Sequence, residues 1–140
     1  MFFNSIIIIL SYDIWFYISH MILHTNQFYH IHKIHHSKKY DNLEYLDTYN
    51  SHIYEILFQG ISVFFPYIYI SFNINSFILS LLFLNIRGCM RHDDNFSWLV
   101  GNHHILHHKD GRYNFGEYWI DHLFNTIYPN KEEYKKSILI

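Results

Sequence analysis

An all-α chain, embedded in a membrane through apolar helices and capped by a histidine-rich face, is the fold class predicted from this 140-residue sequence. Three observations predict it. Apolar segments of helical length fill residues 1–19 and 53–88. Histidines recur at i, i+3 and i+4 directly beside those segments, a spacing that puts them on one helical face. All ten Lys and Arg travel with the histidines: none precedes Lys33, and none lies between Lys39 and Arg87.

Residues 1–19 form the first element. Asn4 and Asp13 interrupt the segment, its start has no basic residue, and no small-x-small cleavage site follows, so a membrane helix is preferred to a signal peptide. A buried helix of a soluble all-α domain is the plainer alternative. Residues 20–52 are the first histidine region, where "HMILHTNQFYHIHKIHH" holds six histidines in seventeen residues. His20 and His24 make an HxxxH pair, and His32, His35 and His36 make HxxHH. Residues 53–88 read as an apolar helical hairpin turning at "NIN" (73–75), because the chain must return to the side it left if the two histidine regions share a site. At about 1.5 Å per residue each arm is roughly 20 to 30 Å long, deep enough to enter a bilayer and marginal for crossing it twice. The clustered Lys and Arg place the histidine side in the cytosol. Residues 89–126 are the second histidine region: "NHHILHH" repeats HxxHH with His104, His107 and His108, and His92 stands twelve residues before His104. Residues 127–140 read as a solvated amphipathic tail resting on the bilayer surface.

Composition narrows the chemistry. A net charge of −2 argues against nucleic acid as a partner. Cys89 is the only cysteine, which excludes an intrachain disulfide and a Cys-rich zinc module, so a metal here is held by nitrogen and oxygen. Two metals sharing roughly eight to ten imidazoles receive four or five nitrogens each, which suits iron and leaves a position for O2. Zinc closed by four ligands would make a structural site instead. No phosphate loop, Ser/His/Asp pattern or dinucleotide fingerprint is present.

The order HxxxH, HxxHH, single His, HHxxHH resembles the fatty acid hydroxylase superfamily of membrane di-iron oxidases, which includes sterol desaturases and C4-methylsterol oxidases. The likeness extends past histidine. "SYDIWFYISHMILH" is similar to the family's lead-in, "FYHIHKIHHSKKYD" to its second box, "SHIYEIL" to a His-Pro-x-Glu element, and "YNFGEYWIDHLFNT" to the segment after the third box. Together these cover roughly residues 5–126. Acyl-CoA desaturases share three boxes but separate the first two further, whereas seven residues lie between His24 and His32.

The resemblance implies metal ligation by His20, His24, His32, His35, His36, His92, His104, His107 and His108, with His52 as a further ligand or a donor behind one. It implies that Asp13, His103, Asn114 and Asp121 stand behind the ligands and orient their imidazoles. It further implies two iron ions, O2 as co-substrate, a lipid substrate that is hydroxylated or desaturated, and an electron donor such as cytochrome b5 or a reductase. The site would lie on the cytosolic side of a membrane of the endoplasmic reticulum type in a eukaryotic host. Met21, Ile53 and Asn125 depart from the usual Arg, Pro and Gly, and none is a ligand. Phe96 stands where a paired histidine would follow His92, which leans toward the sterol oxidase and desaturase branches. About nineteen residues precede His20, so the expected architecture is N-terminally short, and a homodimer is one way to complete a lipid tunnel. The competing reading is a minimal, non-catalytic His-rich membrane protein holding structural zinc.

Overall fold

The computed structural model describes residues 2–138, in which every regular element is helical. The α-helices are α1 (Phe2–Leu23), α2 (Tyr29–His32), α3 (Ile53–Gly60), α4 (Ile74–Arg91), α5 (Ser97–Val100), α6 (His103–Lys109) and α7 (Tyr118–Leu123), linked by short 3-10 turns.

Helix α1 buries polar and apolar side chains together. The side chains it buries include Ser5, Asp13, Ser19 and His20, while Ile6, Leu10, Ile14 and Ile18, four residues apart, form an exposed stripe. Ile8, Tyr17 and Leu23 are buried as well, so α1 is apolar on both its faces. At 22 residues, α1 is long and apolar enough to cross a bilayer. It runs through His20, because nothing in 17–23 breaks a helix, and the backbone N–H of His24 still donates to the His20 carbonyl at 3.0 Å.

The segment 53–88 is less regular than a plain hairpin. Its first arm changes at Ile61 from α3 into a 3-10 stretch, Ile61–Ile68, which contains Pro66. Proline has no N–H to continue an α-ladder. The turn falls at 69–73 rather than at 73–75, because the Asn73 side chain accepts from the Ser76 N–H at 2.9 Å and starts α4 at Ile74. Helix α4 continues to Arg91, four turns of apolar surface followed by two arginines. Ile8, Val63 and Leu84 form the small core where α1, the 3-10 stretch and α4 meet. Ser5 and Ser80 lie buried at the contact of α1 with α4, where Ser80 Oγ donates to the Ser5 carbonyl at 3.2 Å.

The tail keeps Lys131, Glu132, Lys135 and Lys136 exposed and also straps α5 and α6. Asn102 donates to the Glu133 carbonyl at 2.8 Å and accepts from the Lys135 N–H at 3.0 Å, Ile138 N–H donates to the Trp98 carbonyl, and Lys109 pairs with Glu133. Three of these four contacts use the tail's backbone, so they fix its path over the short helices.

Candidate metal centre

Nine histidines converge at the end of α1 nearest α6. They form two groups: His20, His24, His32, His36 and His107 in one, and His35, His92, His104 and His108 in the other, with all ligand nitrogens of a group within 4.8 Å of one another. The groups adjoin, with the His36 and His108 rings 4.4 Å apart. The membership explains the repeated HxxHH spacing. In each box the i and i+4 histidines go to one group, and the i+3 histidine crosses to the other: His35 leaves the first box and His107 leaves the second. The two boxes thus exchange one imidazole each.

Proton bookkeeping shows what the groups are suited to hold. Nδ1 of His20 lies 2.6 Å from the Phe115 carbonyl, Nδ1 of His107 lies 2.6 Å from the Tyr113 carbonyl, and Nδ1 of His92 lies 2.8 Å from the Gly88 carbonyl. A carbonyl only accepts, so in each ring Nδ1 carries the proton and Nε2 presents a lone pair inward. Glu55 Oε1 lies 2.9 Å from His32 Nδ1, and when ionised this carboxylate fixes His32 in the same way. Nε2 of His20 and Nε2 of His32 stand only 3.0 Å apart, and with Glu55 ionised no proton lies between them. Such a contact repels unless a cation sits beside both nitrogens.

The spacing fits a cation. Nε2 separations are 3.0 Å for His24–His107 and His32–His36, and 3.1 Å for His36–His107, His35–His92 and His92–His104. Nitrogens about 2.1 Å from one ion lie roughly 3.0 Å apart at right angles and roughly 3.4 Å apart in a tetrahedron. His108 adds an orphan: both of its ring nitrogens are buried and have no hydrogen-bond partner among the described residues. The donor set therefore suits two metal ions bound by five and four imidazoles.

Electrostatics keeps these rings neutral and ready to ligate. Burial, reinforced by neighbouring imidazoles, holds His35, His104, His107 and His108 well below the usual histidine range. Burial lowers His24 and His92 to about 4 and His36 to about 3. Unfolded imidazoles titrate near 6.5, so between these values the unfolded metal-free chain binds more protons than the folded one. Its stability is expected to be full above about pH 6.5 and to fall as pH drops toward 4. A melting temperature of the metal-free protein that stays flat from pH 7 to 4 would contradict this.

The residues expected behind the ligands take varied places. Asp121 is fully buried and accepts from His103 Nε2, from the Phe115 and Gly116 N–H groups and from the Thr126 hydroxyl, at 2.7 to 3.0 Å. It therefore builds the loop whose carbonyls orient His20 and His107. Asn114, in the left-handed region at φ 58°, donates to the His103 carbonyl and accepts from Tyr128 N–H and Tyr134 Oη, which ties α6 to the tail. His103 itself faces Asp121, outside both groups. Two assignments are corrected by position. His52 caps α3, its Nδ1 accepting from the Tyr54 N–H at 3.2 Å, and it joins neither group. Asp13 pairs with Arg87 rather than with a histidine. Arg87 also reaches Glu117 at 3.0 Å, and Arg91 pairs with Glu117, so two acids and two guanidiniums close one wall beside the site.

Glu55 is a residue at the site to which the sequence reading gives no role, although it is the acid of the "SHIYEIL" stretch similar to a His-Pro-x-Glu element. Gly111 is a second: a Cβ there would lie 2.9 Å from His24 Cε1. Gly111→Ala is expected to displace the His24 ring and weaken metal binding by the five-histidine group about 10- to 100-fold, measured by chelator competition.

Comparison with known proteins agrees with this geometry. Neither a curated protein nor a solved structure matched the chain. The family model described as Fatty acid hydroxylase matches residues 5–126, which takes in both histidine groups, the Glu55 partner and the Asp121 loop. Lipid-oxidising and membrane-associated members define that family, and this chain belongs to it: it is a member of the fatty acid hydroxylase family.

Proposed function

We propose that the chain is a membrane-bound di-iron oxidoreductase that uses dioxygen to hydroxylate or desaturate a lipid, either a sterol or a fatty acyl chain. The observation that carries this reading is the division of nine imidazoles into adjoining groups of five and four. Structural zinc favours a closed set of four ligands, one fewer than the first group offers. Iron favours five or six ligands and accepts imidazole readily.

When bound, the two ions would supply two-electron activation of dioxygen, so that one oxygen atom enters an alkyl C–H bond and the other leaves as water, or two hydrogens are removed and both oxygen atoms leave as water. The protein's part is positioning. The Phe115, Tyr113 and Gly88 carbonyls and Glu55 keep protons on Nδ1, which commits Nε2 to the metal and fixes each ring plane. A cavity of about 90 Å³ lies against His20, His32, His35, His92 and His104, the place where a substrate carbon meets the ions. Two electrons per turnover come from cytochrome b5 or a reductase meeting the basic, cytosolic side. A second copy of the chain extends the lipid-facing surface.

The test is elemental analysis after anaerobic iron loading in detergent, followed by turnover under ¹⁸O2 with a reductase and a membrane lipid extract. About two irons per chain and ¹⁸O in a lipid alcohol, or a new double bond with the label in water, is the expected result. Tightly held zinc with no oxygen-dependent lipid product would overturn the proposal.

A further inference from the structure

A second polar cavity, of about 290 Å³, lies away from the metal centre, and none of the nine grouped histidines lines it. His103 at the start of α6, Tyr118 at the start of α7, and Lys131, Tyr134 and Lys136 of the tail form its walls. His103 is 5% exposed and gives Nε2 to Asp121, yet its Nδ1 is buried with no hydrogen-bond partner among the described residues. Burial lowers the pKa of this ring and keeps it neutral, so Nδ1 offers a lone pair. A buried acceptor of this kind calls for an O–H or N–H donor. Asp121 holds the ring by its other nitrogen, which leaves Nδ1 for the cavity. The Tyr118 hydroxyl, on the same wall, also makes no hydrogen bond to a described residue.

Charge sets the other half of the ligand. Three lysines and no acid line the cavity. Lys135 pairs with Asp94, while Lys131 and Lys136 are exposed and pair with no described acid. Glu132 follows Lys131 but stands outside the lining. Cations held by His104 and His107, on the same helix as His103, would add to this positive field. The cavity therefore suits an anion that also carries a hydroxyl. Its neighbours indicate the source. Trp119, beside Tyr118, is exposed, and so is Trp98, whose carbonyl accepts from the Ile138 N–H. Phe124, at the end of α7, stacks on Tyr17 of the membrane-length helix α1 at 5.3 Å, three residues before His20. Exposed tryptophans at the end of such a helix sit at the level of lipid headgroups.

We propose that this cavity binds the head of an anionic polyol phospholipid, with the phosphate on Lys131 and Lys136 and a free hydroxyl donating to His103 Nδ1. The site is additional to the metal centre, and it rests on the membrane association of the family rather than on the oxidase reading. A bound head clamps the tail onto α6, the helix that carries His104, His107 and His108.

The test uses the full metal-loaded chain in non-ionic detergent and a short-chain phosphatidylinositol with a fluorophore on one acyl chain, read by anisotropy. Phosphatidylglycerol should displace the probe. Phosphatidylmethanol keeps the charged phosphate diester and lacks the hydroxyl, and phosphatidylcholine has no donor and no net charge; each should compete at least about fivefold less well. Lys131→Gln combined with Lys136→Gln should weaken binding at least about tenfold at unchanged metal content. Lys33→Gln combined with Lys39→Gln, which removes the same charge from exposed lysines elsewhere, should leave binding as it was. Equal competition by phosphatidylmethanol, or equal losses in the two double variants, would overturn the proposal. So would displacement by inositol 1-phosphate at the concentrations at which the lipids act, because the ligand would then be a soluble phosphate ester. Binding is read without turnover, so a chain that gives no oxygen-dependent product can still pass this test, and an active chain can fail it.

Discussion

His107→Ala is expected to remove the ion held by His20, His24, His32 and His36, although four of that group's five imidazoles remain. His107 Nε2 sits 3.0 Å from that of His24 and 3.1 Å from that of His36, and it is the only contribution from the second box to this group. Without it the group loses its link to α6, and affinity should fall at least about 100-fold. The ion held by His35, His92, His104 and His108 should stay. His35→Ala is the mirror experiment: it should empty the four-histidine group and spare the other, although His35 belongs to the first box in sequence. Elemental analysis should give about one metal in each variant, with different absorption bands after cobalt substitution. Identical spectra, or loss of both metals in both variants, would contradict the exchange of histidines between boxes.

Asp121→Asn should be the most damaging change outside the ligands. The carboxylate satisfies four donors at a fully buried position, and an amide replaces one acceptor oxygen with a donor. At least one N–H would then face another N–H, at a cost of about 3 kcal/mol or more. The loop would loosen at Phe115, whose carbonyl orients His20, and at Tyr113, whose carbonyl orients His107. Both rings belong to the five-histidine group, so its metal should leave first while the group anchored by Gly88 keeps its own. Thermal melts and the time course of metal release to a chelator check the two halves of this expectation. Simultaneous release of both metals would show that the loop does not act on one group.

The boxes were legible because metal ligands on short helices must recur at i, i+3 and i+4, and HxxHH repeated twice carries that signature in residue identity alone. What imidazoles do with their second nitrogen was not. Three of the acceptors are backbone carbonyls, at Gly88, Tyr113 and Phe115, and any residue type offers one. Asp13 is legible as a polar group inside an apolar helix, but its partner, Arg87, lies 74 positions away and depends on how far α4 continues. His52 lost its expected place for a local reason: it directly precedes α3, and a helix start offers a backbone N–H that its ring accepts. The 3-10 stretch at Ile61–Ile68 was hidden in a uniformly apolar run in which only Pro66 marks the change.

The exchange of one imidazole between the boxes has a thermodynamic consequence. Neither ion can be fully ligated until the first-box and second-box segments, some 70 residues apart, have closed on each other. The first ion to bind pays that closure cost, and the second meets a site already assembled. Loading should therefore be cooperative, with a sigmoidal titration curve and little singly loaded protein at half saturation. The helices between the boxes then serve as the spring against which the two metals close the loop.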